Sequence, residues 1–323
     1  MNSRHINIFS RRPDFGAIVG VVLLFVVFSL VDFSNWWSGR TLGNILQFTA
    51  ILGCIAMGQA LVIMSKEIDL SVGSVYGLTG IAYVTLEADL GVPGAMLAAL
   101  AIAGGIGFLQ AMAVIKGKIP SMIVTLGGLF AVRGLIYVWT GGSAPTMPRD
   151  SRAHWLNQLL GGELLGIDAA IFWTALLLIL LTLVVWRTKF GNRLLATGGD
   201  ESSALSRGIR TDRIKTMAFV LCSLLAGIAA ILTLADNPQT HVTLGDLMEL
   251  EAIAAAVIGG CLLSGGRGSL IGAVLGAFII TGVRYELISL GAPASWYITF
   301  VGIVVIAALI FNQFLARWAS NQA

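Results

Sequence analysis

Charge is what this sequence has least of. Only 11% of its 323 residues are Asp, Glu, Lys or Arg, against 57% hydrophobic residues, where a soluble domain carries about 25% charged residues. With a mean hydropathy of +0.88, that shortage excludes an ordinary soluble globule and makes the chain an integral membrane protein. Residues for metal and redox chemistry are scarce too. Cys54, Cys222 and Cys261 lie singly in apolar segments, with no metal-ligand spacing and no natural disulfide pairing. His5, His154 and His241 are far apart. No metal and no cofactor are expected.

Catalytic and nucleotide-binding motifs are missing as well. Gly260 to Arg267 reads GCLLSGGR, which has the spacing of a phosphate-binding loop. Gly266 stands at its Lys position, however, and Arg267 at its hydroxyl position. Gly105-Ile106-Gly107 is not followed by the third glycine of a dinucleotide fingerprint. No Ser-His-Asp triad or carboxylate pair stands out, so the chain does not read as an enzyme. The net charge of +3 does not point to nucleic acid, because the basic residues cluster in membrane-flanking loops. Acids deep in the membrane are also lacking: Asp32, Glu87, Glu251 and Glu286 fall near span ends. Ion-driven carriers hold an ionisable residue at depth, so energy for uphill transport is expected from another subunit.

What the chain does have is long apolar runs. A helix needs about 20 mainly apolar residues to cross a bilayer. Ten segments qualify: 16–33, 42–65, 71–88, 94–115, 119–139, 169–186, 216–235, 248–263, 269–288 and 294–312. The third is rich in Gly and Ser, and the eighth is short and opens with Glu249 and Glu251. The run after the basic residues Arg4, Arg11 and Arg12 has no small-x-small cleavage site and reads as a retained anchor. Ten spans put both termini on one side. Fifteen of the 20 Lys and Arg then fall inside, three outside, and Arg133 and Arg284 within spans. Such a bias places the inside in the cytoplasm. The expected architecture is all-α: one polytopic domain over 1–323, with halves 16–186 and 216–312 around the loop 187–215.

That loop, RTKFGNRLLATGGDESSALSRGIRTDRIK, holds seven Lys and Arg. Asp200 can cap a short helix whose first turn carries Glu201, where the helix dipole favours an acid. The loop is either a handle for a cytoplasmic partner or a solvated stretch that only sets topology. Elsewhere, Gly16/Gly20, Gly73/Gly77 and Gly272/Gly276 have the small-xxx-small spacing that lets membrane helices approach. Trp155 is expected at the interface, opening an amphipathic stretch to Leu160. Arg133 lies about 21 Å from the inner end of its span, facing the bundle or snorkelling outward. Arg284 reads as snorkelling. The short turn Lys66–Ser71 can dip into the interior, with Asp69 as cap of the next helix. With Glu249 and Glu251 it forms a pair of broken elements in the two halves, a pattern that can mark a solute path.

Four segments carry a resemblance. Lys66 to Ser74, KEIDLSVGS, is similar to the GGIDLSVGS turn of ribose-type ATP-binding-cassette permeases. Ile119 to Gly142, IPSMIVTLGGLFAVRGLIYVWTGG, resembles that family's P-x-x-x-x-T-L-G…RG…TGG segment. Ala196 to Ile209, ATGGDESSALSRGI, resembles its ATGGN-x-x-A-A-x-x-x-GI stretch, and Glu251 to Gly268, EAIAAAVIGGCLLSGGRG, its Gly-rich stretch near span eight. The four lie in order from span two to span nine. Departures are Lys66 and Glu67 for two glycines, Asp200 for Asn, Ser203 for Ala, Cys261 and Leu262 for small polar residues, and a charged Arg284.

The resemblance implies the permease subunit of an importer in a bacterial cytoplasmic (inner) membrane. It would move a monosaccharide such as a pentose, hexose or deoxy sugar, or the furanosyl signal autoinducer-2. A separate ATPase would drive it, an external sugar-binding protein would feed it, and a second permease chain, identical or related, would complete the path. The ATPase would grip a coupling helix made of Gly198, Gly199, Asp200, Glu201, Ser202, Ser203, Ala204, Ser206, Gly208 and Ile209. Asp69, Ser71, Arg133, Glu249 and Glu251 are the pathway or gating candidates. The competing reading is an ion-coupled carrier working alone.

Overall fold

An apolar run in a bilayer has no water for its peptide groups and must pair them internally, which makes it a helix. The computed structural model, which describes residues 13–164, 166–293, 295–304, 306 and 310, is built on that rule. Six of its helices are long and apolar enough to cross a membrane: α3 (Gly39–Met64), α4 (Val72–Gly117), α5 (Ser121–Thr140), α8 (Ala169–Arg187), α11 (Thr211–Asp236) and α13 (Leu270–Ser289). Shorter helices are α1 (Phe15–Val31), α2 (Phe33–Trp36), α6 (Arg149–Arg152), α7 (Trp155–Gly161), α9 (Lys189–Gly199), α10 (Glu201–Ser206), α12 (Met248–Ile258) and α14 (Ser295–Val304).

Helix α4 contains two of the expected spans. Its 46 residues would reach about 69 Å if straight, twice the ~30 Å hydrocarbon core. Gly91 breaks it at φ 66, ψ 168, a backbone region that is essentially glycine-only. Pro93 follows in the first turn of the second arm, where a missing N–H costs nothing. The arms fold back on each other, because Gln110 Nε2 donates to Ser71 Oγ at 2.7 Å. Those two residues stand about equally far from the break along the chain.

Small residues let α11 settle among α3 and both arms of α4. A β-carbon at Gly107 would lie 2.7 Å from the carbonyl oxygen of Phe219, and one at Gly276 would lie 2.0 Å from that of Ala255. Close approach of this kind brings backbones into van der Waals contact without a hydrophobic driving force. Gly73, Gly77 and Gly272 are likewise packed against backbone, whereas nothing approaches Gly16.

Several expectations need adjusting. The eighth span is an 11-residue helix, Met248–Ile258, about 16 Å long and half a bilayer. The segment 140–168 folds α6, α7 and a two-residue hairpin, Glu163–Leu164 with Ile167–Asp168, so the chain is not strictly all-α. Trp155 is exposed. Asp32 caps α2, accepting from Asn35 N at 3.3 Å, but Glu87, Glu251 and Glu286 are buried between helices rather than left at open span ends. Arg284 does not simply snorkel: its guanidinium is 3.8 Å from Glu251 and lies over the Tyr297 ring. Arg4, Arg11, Arg12 and Arg317 lie outside the described residues.

The break in α4 yields a prediction. Gly91→Val places a branched residue in a glycine-only region at a cost of about 1–3 kcal/mol. The thermal midpoint of the purified protein in detergent should fall by several degrees, while Leu90→Val, one residue earlier in ordinary helix, leaves it within a degree or two.

Candidate functional site

The 187–215 loop folds as two helices, not one. Helix α9 ends at Gly199, and Asp200 turns extended at φ −150, ψ 103, the geometry of an N-cap. Its Oδ1 accepts from Ser202 N at 3.0 Å, Ser203 N at 3.2 Å and Ser202 Oγ at 2.7 Å, and its Oδ2 from Ser203 Oγ at 2.8 Å. The far end is closed as tightly. Ile209 N donates to Ala204 O and Gly208 N to Leu205 O, the paired bonds of a glycine helix stop. Gly208 supplies the positive φ, +79, that this stop requires. Ser206 Oγ donates to Ser203 O at 2.9 Å, and Ala204 is buried while the serines face outward. A six-residue helix is too short to stand in water by propensity alone. Its two caps define it.

The end of α9 and the start of α10 are held against the body at two places. Gly198 lies against the end of α3, where a β-carbon would come within 1.9 Å of Met64 O. That carbonyl also accepts from Gly266 N at 3.0 Å, so the loop 261–268 joins the same junction. The second place is Lys215, at 2.8 Å from Glu201 and 2.9 Å from Glu67. Beside Lys215 opens a cavity of about 370 Å³, lined by the apolar Val114, Ile115 and Pro120 and by the charged Glu67, Lys118, Glu201 and Lys215.

Beyond Lys66 the chain runs inward outside any helix. Buried N–H groups must find partners, and each one from Glu67 to Ser71 does so. Glu67 N donates to Val62 O. Ile68 N donates to Ser121 Oγ and Leu70 N to Thr125 Oγ1, both on the first turns of α5. The side-chain amide of Gln59, with its nitrogen toward the carbonyl, spans Asp69 O and Asp69 N at 3.2 and 3.3 Å. Ser71 N and Oγ donate to Asp69 Oδ1 at 2.8 and 2.7 Å. Asp69, Ser71, Gln59 and Thr125 are fully buried. Asp69 thus leads the chain into α4 through a side-chain turn. Lys66 adopts φ +68, a left-handed conformation in which the resembling family carries glycine.

The second broken element comes to the same place. Glu249, in the first turn of the half-length α12, lies so close to Gly73 that a β-carbon there would sit 2.2 Å from its carboxylate. The loop before it passes under Arg133, which donates to Val242 O and Leu244 O at 3.2 and 2.9 Å and pairs with Asp246 at 2.6 Å. Asp69, Ser71, Arg133 and Glu249 therefore frame one region where α4, α5 and α12 meet. Glu251 stands apart, turned to Arg284. Sequence reasoning missed Gln59, Gln110, Lys215 and Asp246, which complete these contacts. Only Glu67 carried a signal, as a charge replacing a glycine.

The sequence family described as branched-chain amino acid transport system / permease component matches residues 41–309. The chain belongs to this family. The matched stretch contains both the capped helix and the buried break. This permease chain is 35% identical over 304 residues to the autoinducer 2 import system permease protein LsrC of Escherichia coli (strain K12 / DH10B), covering 94% of this chain and 87% of that protein. The LsrC protein of Shigella flexneri is 36% identical with the same coverage. That of Salmonella typhi is 35% identical over 298 residues, covering 92% and 84%. The family description and the relatives' names differ on the solute and agree on a permease component.

The cap has a measurable signature. The hydroxyls of Ser202 and Ser203, followed by the Ser203 N–H, hold the Asp200 carboxyl down at about 2. An unfolded Asp titrates near 3.9. A depressed folded value means that the cap's contribution is complete above about pH 4 and is lost as pH falls toward 2. Carboxylate NMR should place the Asp200 midpoint near 2 in the folded permease. The Ser202→Ala/Ser203→Ala variant should move it up toward about 3.9.

Proposed function

We propose that this permease component is the membrane-spanning subunit of an ATP-driven importer. It spans the bacterial cytoplasmic membrane about ten times with both termini inside, the two arms of α4 counting separately and α1, α12 and α14 completing the set. The basic 187–215 segment faces the cytoplasm, where Lys and Arg accumulate. A separate ATPase grips Gly198 to Ile209, an external binding protein delivers the solute, and a second permease chain completes the path. The solute is a small sugar-like molecule, with autoinducer 2 as the leading candidate. The observation that carries this reading is the 35% identity to an autoinducer 2 import permease along 94% of the chain.

The capped helix supports the same reading. It is rigid, exposed on its serine face, and joined by Gly198 to the carbonyl end of α3, so a pull on it is felt inside the bundle. ATP-driven closure of the ATPases would move it as a body. The path would then switch between outward and inward openings by rigid-body gating around a central site.

Uptake in cells or proteoliposomes tests the proposal. Asp200→Lys, Ser203→Trp and Gly208→Val should each abolish ATP-dependent uptake of autoinducer 2 while leaving the protein in the membrane. Uptake that survives in all three variants removes the coupling role. Uptake by the purified chain alone under a pH or sodium gradient removes the importer reading.

A further inference from the structure

We propose that Lys215 is a positioning residue that ties the coupling helix to the buried turn, so that work done on Glu201–Ser206 reaches Asp69 through Glu67. The inference rests on the coupling role proposed for that helix.

One ammonium group serves two carboxylates that belong to different functional parts. Lys215 Nζ is 2.8 Å from Glu201 in the first turn of α10 and 2.9 Å from Glu67 at the mouth of the inward turn. The side chains of Lys215 and Glu67 are each only 12% exposed, whereas that of Glu201 is 42% exposed, so the Glu67 leg is the buried one. An exposed pair is screened and weak. A largely desolvated pair with short charge-assisted bonds is held in one geometry. Breaking it leaves a charge stranded out of water. Without Lys215, the cavity that Glu67 and Glu201 share would hold three acids, Asp212 being the third, against Lys118 alone, and the excess of like charge would push the helix from the turn.

Beyond Glu67 the connection is stiff. Ile68 and Leu70 are bonded to the first turns of α5 and Asp69 is clasped by Gln59, so the segment cannot absorb a displacement by bending alone. The sequence adds a separate argument. Where the resembling permeases carry two glycines, this chain carries Lys66 and Glu67. Lys66 retains the positive φ that suits glycine, an unfavourable conformation for a side chain. Glycine has no side chain to reach Lys215. The ion pair is thus one that the glycine of the resembling motif could not make, in a turn whose backbone at Lys66 suits glycine.

The test uses the permease reconstituted with its ATPase and binding protein in proteoliposomes. Three quantities are read: ATPase retained with the permease, ATP hydrolysed, and autoinducer 2 moved per ATP. Lys215→Met and Glu67→Gln should each lower solute moved per ATP about tenfold, within the usual range of coupling between sites. ATPase retention and hydrolysis should persist. Lys215→Arg should restore most of the yield. The Lys215→Met/Glu67→Gln double variant should be no worse than either single change, since coupled residues are non-additive. If Lys215→Met does not reach the membrane, Glu67→Gly reads the same link with the residue the family tolerates. Wild-type yield in Glu67→Gln and Glu67→Gly, or a double variant with the product of the two single losses, overturns the inference and leaves the importer reading intact. A wild-type complex with no ATP-dependent uptake fails at the earlier step and removes both.

Discussion

The demand that every buried peptide group find a partner governs this structure, and it bears hardest on Glu67 to Ser71. A helix meets it automatically within a bilayer. These residues run inward outside any helix and must borrow partners from elsewhere. They take a serine and a threonine from α5, a glutamine from α3 and an aspartate from their own length. Irregular backbone at such a depth is tolerated only where protein or a water-filled cavity encloses it. The fold around it, with two arms of α4 on one side and α12 on the other, supplies that enclosure.

Borrowed partners make the segment a junction. Moving it means moving α5 and α3, because its bonds are shared with them and not repeated along itself. Arg133 extends the same logic outward, since it is carried on α5 and fastened to the carbonyls of the loop before α12. A displacement at the Ser121 end of α5 is thereby felt by the element that carries Glu249. Packed interiors pass such displacements on because they resist compression. The two interrupted elements, one from each half, meet at Gly73, where only glycine leaves room for the Glu249 carboxylate.

Much of this was legible in the sequence for a physical reason. Apolar runs of span length, the basic loop and the Asp200 cap depend on local composition, and local composition is what a sequence displays. Against the ten expected spans, six helices are long and apolar enough to cross a membrane, with two of the expected spans joined in α4 through Gly91, while α1, α12 and α14 are shorter. The shortness of the Lys66–Ser71 turn points inward, and Asp69 and Ser71 are buried. Contacts across the fold were not legible. Nothing in the sequence places Gln59 over Asp69 or Lys215 between Glu67 and Glu201, because those pairings depend on how helices are rotated and registered. Arg284 reads as snorkelling when α13 is considered alone and becomes a partner of Glu251 only when α12 is packed beside it.

Lys66 and Glu67 show how one pair of positions can serve two opposed requirements. The backbone at 66 asks for glycine, since a left-handed residue with a side chain costs roughly 1–2 kcal/mol. A lysine there is destabilising by itself, and its charge finds no ion pair of 4 Å or less among the described residues. The neighbouring glutamate does find one, and its bond to Lys215 draws the turn toward the capped helix. A flexible glycine pair would let that helix and the turn shift independently. A side chain at each position stiffens the backbone by removing conformations from both, and the ion pair then fixes the direction in which the stiffened turn points. Strain at 66 and attraction at 67 act in the same sense: both restrict the turn to one position relative to α10. A junction that transmits motion needs that restriction more than it needs the stability lost in achieving it.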